Sequence, residues 1–332
     1  MKRVCIAGVG AIGGLFGGWL GRLPDVELSA LARGGTLAAL RRDGLQLDSG
    51  GSLQRIALRA SDDPRELGLQ DLVVVAVKGP ALPAVARQVA GLLGPQTVVL
   101  VAMNGVPWWF FDGLGGECEG LRLESVDPGG AVRATIPVGQ VIGCVVHAAS
   151  SVAQPGVVRH AMGNGLIIGE PRGGVSPRVE QLAGLLGRAG FAVTVSERIQ
   201  RDIWFKLWGN MTMNPMSALT GATLDRLLDD PLVRGFASAV MLEAREIGAR
   251  IGCPIDQSPE ERHQVTRKLG AVKTSMLQDA EAGRPLELAA LVGAVREIGQ
   301  HLRIPTPHLD ALLGLTRVMA QVRGLAEATG RG

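Results

Sequence analysis

Residues 4–14 read Val4-Cys5-Ile6-Ala7-Gly8-Val9-Gly10-Ala11-Ile12-Gly13-Gly14, an apolar run that passes directly into a G-x-G-x-x-G turn. A short run of this kind reads as a buried strand, and the glycines give the turn after it a specific physical use. Gly8 permits a tight turn, Gly10 lets the backbone approach a pyrophosphate, and Gly13 lets the following helix pack closely on the strand. The free N–H groups at that helix N-terminus would face phosphates. Read this way, Gly8, Val9, Gly10, Ala11, Ile12 and Gly13 open a dinucleotide site.

The same stretch has a rival reading. Lys2 and Arg3 precede an uncharged, mostly apolar run to Gly21, and Ala30-Leu31-Ala32 resembles a signal-peptidase site. The spacing of Gly10, Gly14 and Gly18 would also suit a membrane helix. Glycine weighs against a water-exposed helix of that kind, at about 1 kcal/mol per residue relative to alanine. Leu28 to Ala32 then reads as a second strand, which a βαβ unit requires. We therefore expect a strand and helix at the start of a cytoplasmic protein, with no membrane partner.

Composition narrows the remaining classes. A chain of 332 residues with 46% hydrophobic and 20% charged residues is long and apolar enough for two globular domains. A net charge of +3 is small for that length, and no Lys/Arg cluster is interleaved with aromatics, so nucleic acid is not an expected partner. Cys5, Cys118, Cys144 and Cys253 are scattered without C-x-x-C or His spacing, which points to buried thiols and to no metal. The chain has no tyrosine, which excludes a tyrosine proton donor.

Apolar runs at Val4 to Ala7, Leu28 to Ala32, Leu72 to Val77, Val98 to Ala102, Val141 to Val146 and Gly165 to Gly169 alternate with helix-like periodicity. That alternation predicts a mostly parallel, helix-covered sheet. Gly113 to Gly139 reads as a loop excursion, a helix is expected over Ser176 to Ala189, and Phe191 to Val195 completes the first domain. After Ser196 the strand signal stops. Helices are expected over Ile199 to Met213, Ala237 to Ile251, Pro259 to Ala282, Pro285 to Arg303 and near Leu309 to Gly324. The expected division is 1–197 and 198–332.

Chemistry concentrates in a few positions. From Ile203 onward the helix Ile199 to Met213 is strongly polar only at Lys206 and Asn210, with Asn214 at its end, and i, i+4, i+8 spacing puts all three on one stripe. Pro215 is expected to end or kink the helix at Asn214. An exposed stripe is the plain structural reading, but so little else is polar that a functional face is favoured. A lysine in desolvating surroundings has a lowered pKa and suits proton donation near neutrality. Glu287 follows Pro285 at the start of an apolar helix, where the helix dipole alone would explain an acid. Ser275 lies on a helical segment, as filler or as a ligand contact. Arg33 follows the second strand, where an acid would bind an NAD ribose; arginine there favours a 2′-phosphate. Lys78 and Asn104 end strands at the ligand-facing rim, where a snorkelling lysine and an Asn-Gly turn are the plain alternatives.

In order and spacing these residues resemble the ketopantoate reductase (2-dehydropantoate 2-reductase) family over nearly the whole chain. The matching pieces are Gly8 to Gly13, Arg33, Val77-Lys78, Asn104-Gly105, Trp204-Phe205-Lys206-Leu207, Asn210, Asn214-Pro215, Ser275-Met276-Leu277-Gln278-Asp279 and Glu287. The resemblance implies an α/β Rossmann-type N-terminal domain, with a mostly parallel sheet, plus an all-α C-terminal domain. It implies NADPH as cofactor, a small 2-oxo acid as substrate, pantothenate biosynthesis as setting, and a monomer or homodimer. By the same resemblance Lys206 and Glu287 are catalytic; Asn210, Asn214 and Ser275 bind substrate; and Gly8 to Gly13, Arg33, Lys78 and Asn104 bind the cofactor.

Three departures stand out. Glu287 commonly opens an E-I-D-Y-x-N-G run in the family, whereas Ala289 and Val292 stand here for its aspartate and asparagine. Leu224 falls where some members carry another substrate-binding asparagine. The run Val106-Pro107-Trp108-Trp109-Phe110-Phe111 is unusually aromatic. These changes leave open a reductase of a different, bulkier 2-oxo acid, a related hydroxyacid or polyol-phosphate dehydrogenase, or a non-catalytic NADP-binding sensor.

Overall fold

The computed structural model describes residues 1–327. The chain divides into two compact units, one of residues 1–103 and 130–202, the other of residues 104–129 and 203–332. The sequence thus leaves the first unit after Met103, returns at Gly130, and passes to the second for good within one helix.

The first unit carries ten strands: β1 (Arg3–Ala7), β2 (Glu27–Leu31), β3 (Leu45–Ser49), β4 (Ser52–Ile56), β5 (Arg59–Ser61), β6 (Gln70–Val75), β7 (Leu93–Val101), β8 (Val141–Gln154), β9 (Val157–Gly169) and β10 (Ala192–Ser196). They form one sheet in the order β4-β3-β9-β8-β7-β6-β1-β2-β5, with β10 on β9. The pairs β3–β4 and β8–β9 are antiparallel and the others parallel. Val4 to Ala7, Leu72 to Val75 and Val98 to Val101 are buried throughout, as expected for strands covered on both faces. Six helices accompany the sheet: α1 (Ala11–Leu20), α2 (Gly34–Asp43), α3 (Pro64–Leu67), α4 (Leu82–Val89), α5 (Ala131–Thr135) and α6 (Pro177–Ala189).

The glycines of α1 have a packing function. A Cβ on Gly14 would lie 2.3 Å from Val158, one on Gly17 2.9 Å from Leu45, and one on Gly18 2.6 Å from Leu47. The G-x-x-x-G spacing therefore seats a helix tightly on its own sheet. No helix among the described residues is long and apolar enough to cross a membrane.

The second unit contains most of α7 (Ile199–Thr220), then α8 (Leu224–Asp229), α9 (Pro231–Arg250), α10 (Pro259–Arg267), α11 (Ser275–Glu281), α12 (Ala294–His301) and α13 (Pro307–Val322). The expected helices are present with three corrections. Helix α7 does not stop at Asn214 but runs through Pro215 to Thr220. The expected helix over 259–282 is two, because Gly270, at φ +71°, breaks the run. The expected start at Pro285 is also displaced: Pro285 to Glu287 precede the helix, and a π-helical turn over Ala289–Gly293 leads into α12.

The four cysteines are buried free thiols. Burial pushes the Cys5 thiol up to about 11, which keeps it protonated and chemically quiet at neutral pH.

Candidate functional site

The nucleotide end of the first unit is built where β1 gives way to α1. Gly8 has φ +96°, and a Cβ there would press to 2.4 Å from Val77. Gly13 sits so close to the turn that a Cβ would be 2.0 Å from the Gly8 carbonyl oxygen. Gly10 differs, because a Cβ there would meet no atom within 4 Å. Space for a side chain is therefore open at Gly10, at the mouth of a helix whose first-turn N–H groups carry partial positive charge. Val9, Ala11 and Ile12 complete this half-buried rim.

Arg33 follows β2 and precedes α2 in extended conformation, with φ −140° and ψ 165°. Its side chain is exposed, and among the described residues no acid or carbonyl engages the guanidinium. A glycine cradle with open space at Gly10, a helix N-terminus and an unengaged arginine beyond β2 fit the pyrophosphate and 2′-phosphate of NADPH. Lys78 follows β6, half-buried, and caps a short 3-10 turn over Gly79–Ala81.

The second unit gathers the other polar residues. Lys206 and Asn210 are half-buried and Asn214 is buried on one stripe of α7, the arrangement that i, i+4, i+8 spacing dictates. The surrounding faces are apolar: Trp204, Leu207, Trp208 and Met211 are all buried, and Trp208 Nε1 donates to the Met241 carbonyl at 2.7 Å. Lys206 Nζ donates to Asn104 Oδ1 at 3.0 Å. The amides of Asn210 and Asn214 have no hydrogen bond to a described residue, so their donors and acceptors remain available.

Asn104 is held from its other side as well. Gly105 has φ +87°, and a Cβ there would lie 2.6 Å from the Ala290 carbonyl oxygen. The Val106 N–H donates to that oxygen at 2.9 Å. A larger residue at 105 would push the Asn104 turn away from the segment that begins at Glu287. Glu287 is half-buried just before Leu288. Ser275 is the exposed first residue of α11, whose N-cap Thr274 accepts from the Leu277 N–H at 3.1 Å.

Two features of this unit differ from what the sequence led us to expect. Trp108, Trp109, Phe110 and Phe111 are buried, and Phe110 packs against Trp204 with ring centroids 6.0 Å apart. This run belongs to the core of the helical unit, so it provides no aromatic pocket wall for a bulkier acid. Glu327 was not anticipated. Its carboxylate accepts the Ala289 N–H at 3.3 Å, and the Leu286 N–H donates to the Leu325 carbonyl at 3.0 Å. The segment around Glu287 is thus braced by residues 325–327, an interaction of long sequence range that no local pattern signals.

Comparison with known proteins finds two family matches along the chain. Residues 4–108 match the family described as "Ketopantoate reductase PanE/ApbA", and residues 198–320 match "Ketopantoate reductase PanE/ApbA C terminal". A 2-dehydropantoate 2-reductase of Mesorhizobium japonicum is 44% identical over 97% of this chain and 99% of its own. A crystal structure described as a putative ketopantoate reductase from Ralstonia solanacearum MolK2 superposes with a TM-score of 0.95 at 57% identity, covering 98% of this chain and 99% of that one. A PanE/ApbA family ketopantoate reductase from Ralstonia eutropha JMP134 gives 0.83 at 25% identity, over 97% of this chain and 100% of its own.

Proposed function

The chain belongs to the ketopantoate reductase family, and on that premise we propose that it reduces 2-dehydropantoate to pantoate with Lys206 managing the proton. It is an NADP-dependent oxidoreductase acting on CH–OH groups. NADPH, when bound, supplies the hydride that goes to C2 of the 2-oxo acid. Gly8 to Gly13 and Arg33 are the groups suited to hold its pyrophosphate and 2′-phosphate, with Lys78 and Asn104 toward the ribose and nicotinamide.

The protein's own chemistry concerns the substrate oxygen. As C2 gains hydride, negative charge develops on that oxygen, and the Lys206 ammonium stabilises it and then delivers a proton. Asn104 holds Nζ in place, a preorganisation that avoids reorienting the lysine during reaction. Asn210, Asn214 and Ser275 offer neutral hydrogen-bonding groups for the carboxylate and hydroxyl. Glu287 completes the set as partner of Lys206 and the product hydroxyl.

The observation that carries this reading is the half-buried Lys206, fixed by Asn104 on a polar stripe of α7 flanked by the buried Trp204, Leu207, Trp208 and Met211. A cytoplasmic protein, monomeric or homodimeric, that works on a free small molecule in pantothenate biosynthesis completes the proposal. The test is NADPH oxidation with 2-dehydropantoate beside a panel of other 2-oxo acids, repeated with NADH. Better kcat/KM for another 2-oxo acid would reassign the substrate. Binding of NADPH with no oxidation across the panel would make the chain a nucleotide-binding sensor.

A further inference from the structure

Helix α10 directs a cation onto α7 beside the lysine. The guanidinium carbon of Arg262 lies 4.9 Å from the centroid of the Phe205 ring. A Cβ on Gly209 would stand only 3.1 Å from Arg262 Nη2 and 3.4 Å from Nε. Phe205 and Gly209 are one turn apart on one face, so the guanidinium rests over the aromatic ring and a bare stretch of helix. Lys206 and Asn210 are each the next residue along, about 100° around the same axis.

Among the described residues this cation has no counter-ion. Arg262 Nε is buried with no hydrogen-bond partner, and no acid forms an ion pair with the residue among those described. Burial alone lowers the guanidinium below its ordinary pKa, with no neighbouring carboxylate acting in the opposite direction. A desolvated charge that lacks a partner is costly unless an anion completes it. The planar donor fork of arginine matches a carboxylate.

We propose that Arg262 is a substrate-binding residue that recognises the carboxylate of the 2-oxo acid, from the face of α7 adjoining Lys206 and Asn210. The inference rests on the reductase reading, which supplies an anionic substrate. In it, Gly209 keeps the helix surface low enough for the guanidinium, Phe205 fixes its plane, and its outward N–H groups meet the carboxylate. Lys206 is then left to the carbonyl oxygen.

The test compares the wild-type enzyme with Arg262→Met, Arg262→Lys and Arg262→Ala, with separate KM values for 2-dehydropantoate and NADPH and with thermal melts. Loss of a charge-assisted hydrogen bond should raise KM for the 2-oxo acid by about 10- to 100-fold in Arg262→Met, with KM for NADPH and the melting temperature near wild type. Arg262→Lys should retain part of the affinity, and added guanidinium ion should restore activity to Arg262→Ala. An unchanged KM for the 2-oxo acid in Arg262→Met, beside an active wild type, overturns the role of Arg262 and leaves the reductase reading intact. A rise in KM for NADPH instead would assign the cation to a cofactor phosphate and overturn the proposal. Lost activity that tracks a lowered melting temperature and resists guanidinium rescue would reduce Arg262 to a packing contact. A wild type that reduces no 2-oxo acid with NADPH would remove the premise, and the proposal with it.

Discussion

Lys206 Nζ donates to Asn104 Oδ1 at 3.0 Å across 102 positions of sequence. Asn104 is the first residue after Met103, where the chain passes from the sheet-containing unit into the helical one. The contact joins a residue just past β7 to the polar stripe of α7, and the next residue, Gly105, lets the backbone close onto Ala290. A hydrogen-bonded ammonium on a half-buried face is held ready in one orientation. That preorganisation suits Lys206 to the proposed role of proton donor better than free solvation at the surface would.

Replacing Lys206 should therefore affect turnover more than binding. Lys206→Ala is expected to lower kcat by about 10²- to 10⁴-fold, the range for a positioned acid or base, with little change in KM for NADPH. Asn104→Ala removes the anchor, at about 1 kcal/mol, and should cost roughly fivefold in kcat, while any change in KM for NADPH reports its separate role toward the cofactor. Steady-state rates for the two variants and their double mutant check this. Fully additive effects would show that Asn104 does not act through Lys206.

The glycine turn separates folding from binding within four residues. Gly13→Ala places a Cβ 2.0 Å from a backbone oxygen, a clash that no rotamer change relieves. Overpacking of this kind costs about 1–3 kcal/mol or more, and a lowered melting temperature should report it. Gly10→Ala meets open space, so the melting temperature should hold while NADPH affinity falls about tenfold or more, if the pyrophosphate occupies that space. Titration of NADPH by its fluorescence gives the second readout, and normal affinity in Gly10→Ala would place the nucleotide elsewhere.

Arg33 should set the choice of cofactor. Its guanidinium is exposed and engaged by no described residue, so its removal leaves no buried charge behind. Arg33→Ser should raise KM for NADPH about 10- to 100-fold, the worth of a charge-assisted hydrogen bond, and leave the NADH reaction within a factor of two. Equal losses with both cofactors would mean that Arg33 does not read the 2′-phosphate.

What could be read in advance was what depends on local pattern. The buried strands Leu72 to Val75 and Val98 to Val101 are uniformly apolar, and the stripe of Lys206, Asn210 and Asn214 follows from helix period alone. The hairpin β3–β4, absent from the expected strands, nonetheless carries a legible signal. Gly50 and Gly51 follow the alternating run Leu45-Gln46-Leu47-Asp48, and both have positive φ, at 62° and 80°, as a tight hairpin turn demands. The continuation of α7 past Pro215 was not legible, because a proline signals a break and only packing around the helix decides whether it follows. Neither the burial of Trp108 to Phe111 nor the contact of Arg262 with Phe205 could be foreseen, since each depends on elements distant in sequence.

Glu327 offers a test by pH. Burial holds its carboxyl above the usual carboxylate range, and the charge of Glu287 adds to the shift, while the Ala289 and Leu288 amides oppose it. An acid whose pKa is higher folded than unfolded binds more protons in the folded state between the two values. Its effect on stability is thus most favourable below the ordinary value of 4.5 and is lost as pH rises through the folded value. Glu327→Gln keeps an oxygen to accept the Ala289 N–H but removes the charge. Relative to wild type, the variant should gain stability as pH rises from about 4.5 toward neutrality and then level off, in denaturant titrations at several pH values. A difference that is flat with pH would mean that the carboxylate is not desolvated. If the bracing by residues 325–327 positions Glu287, Glu327→Ala should also lower kcat with NADPH binding intact.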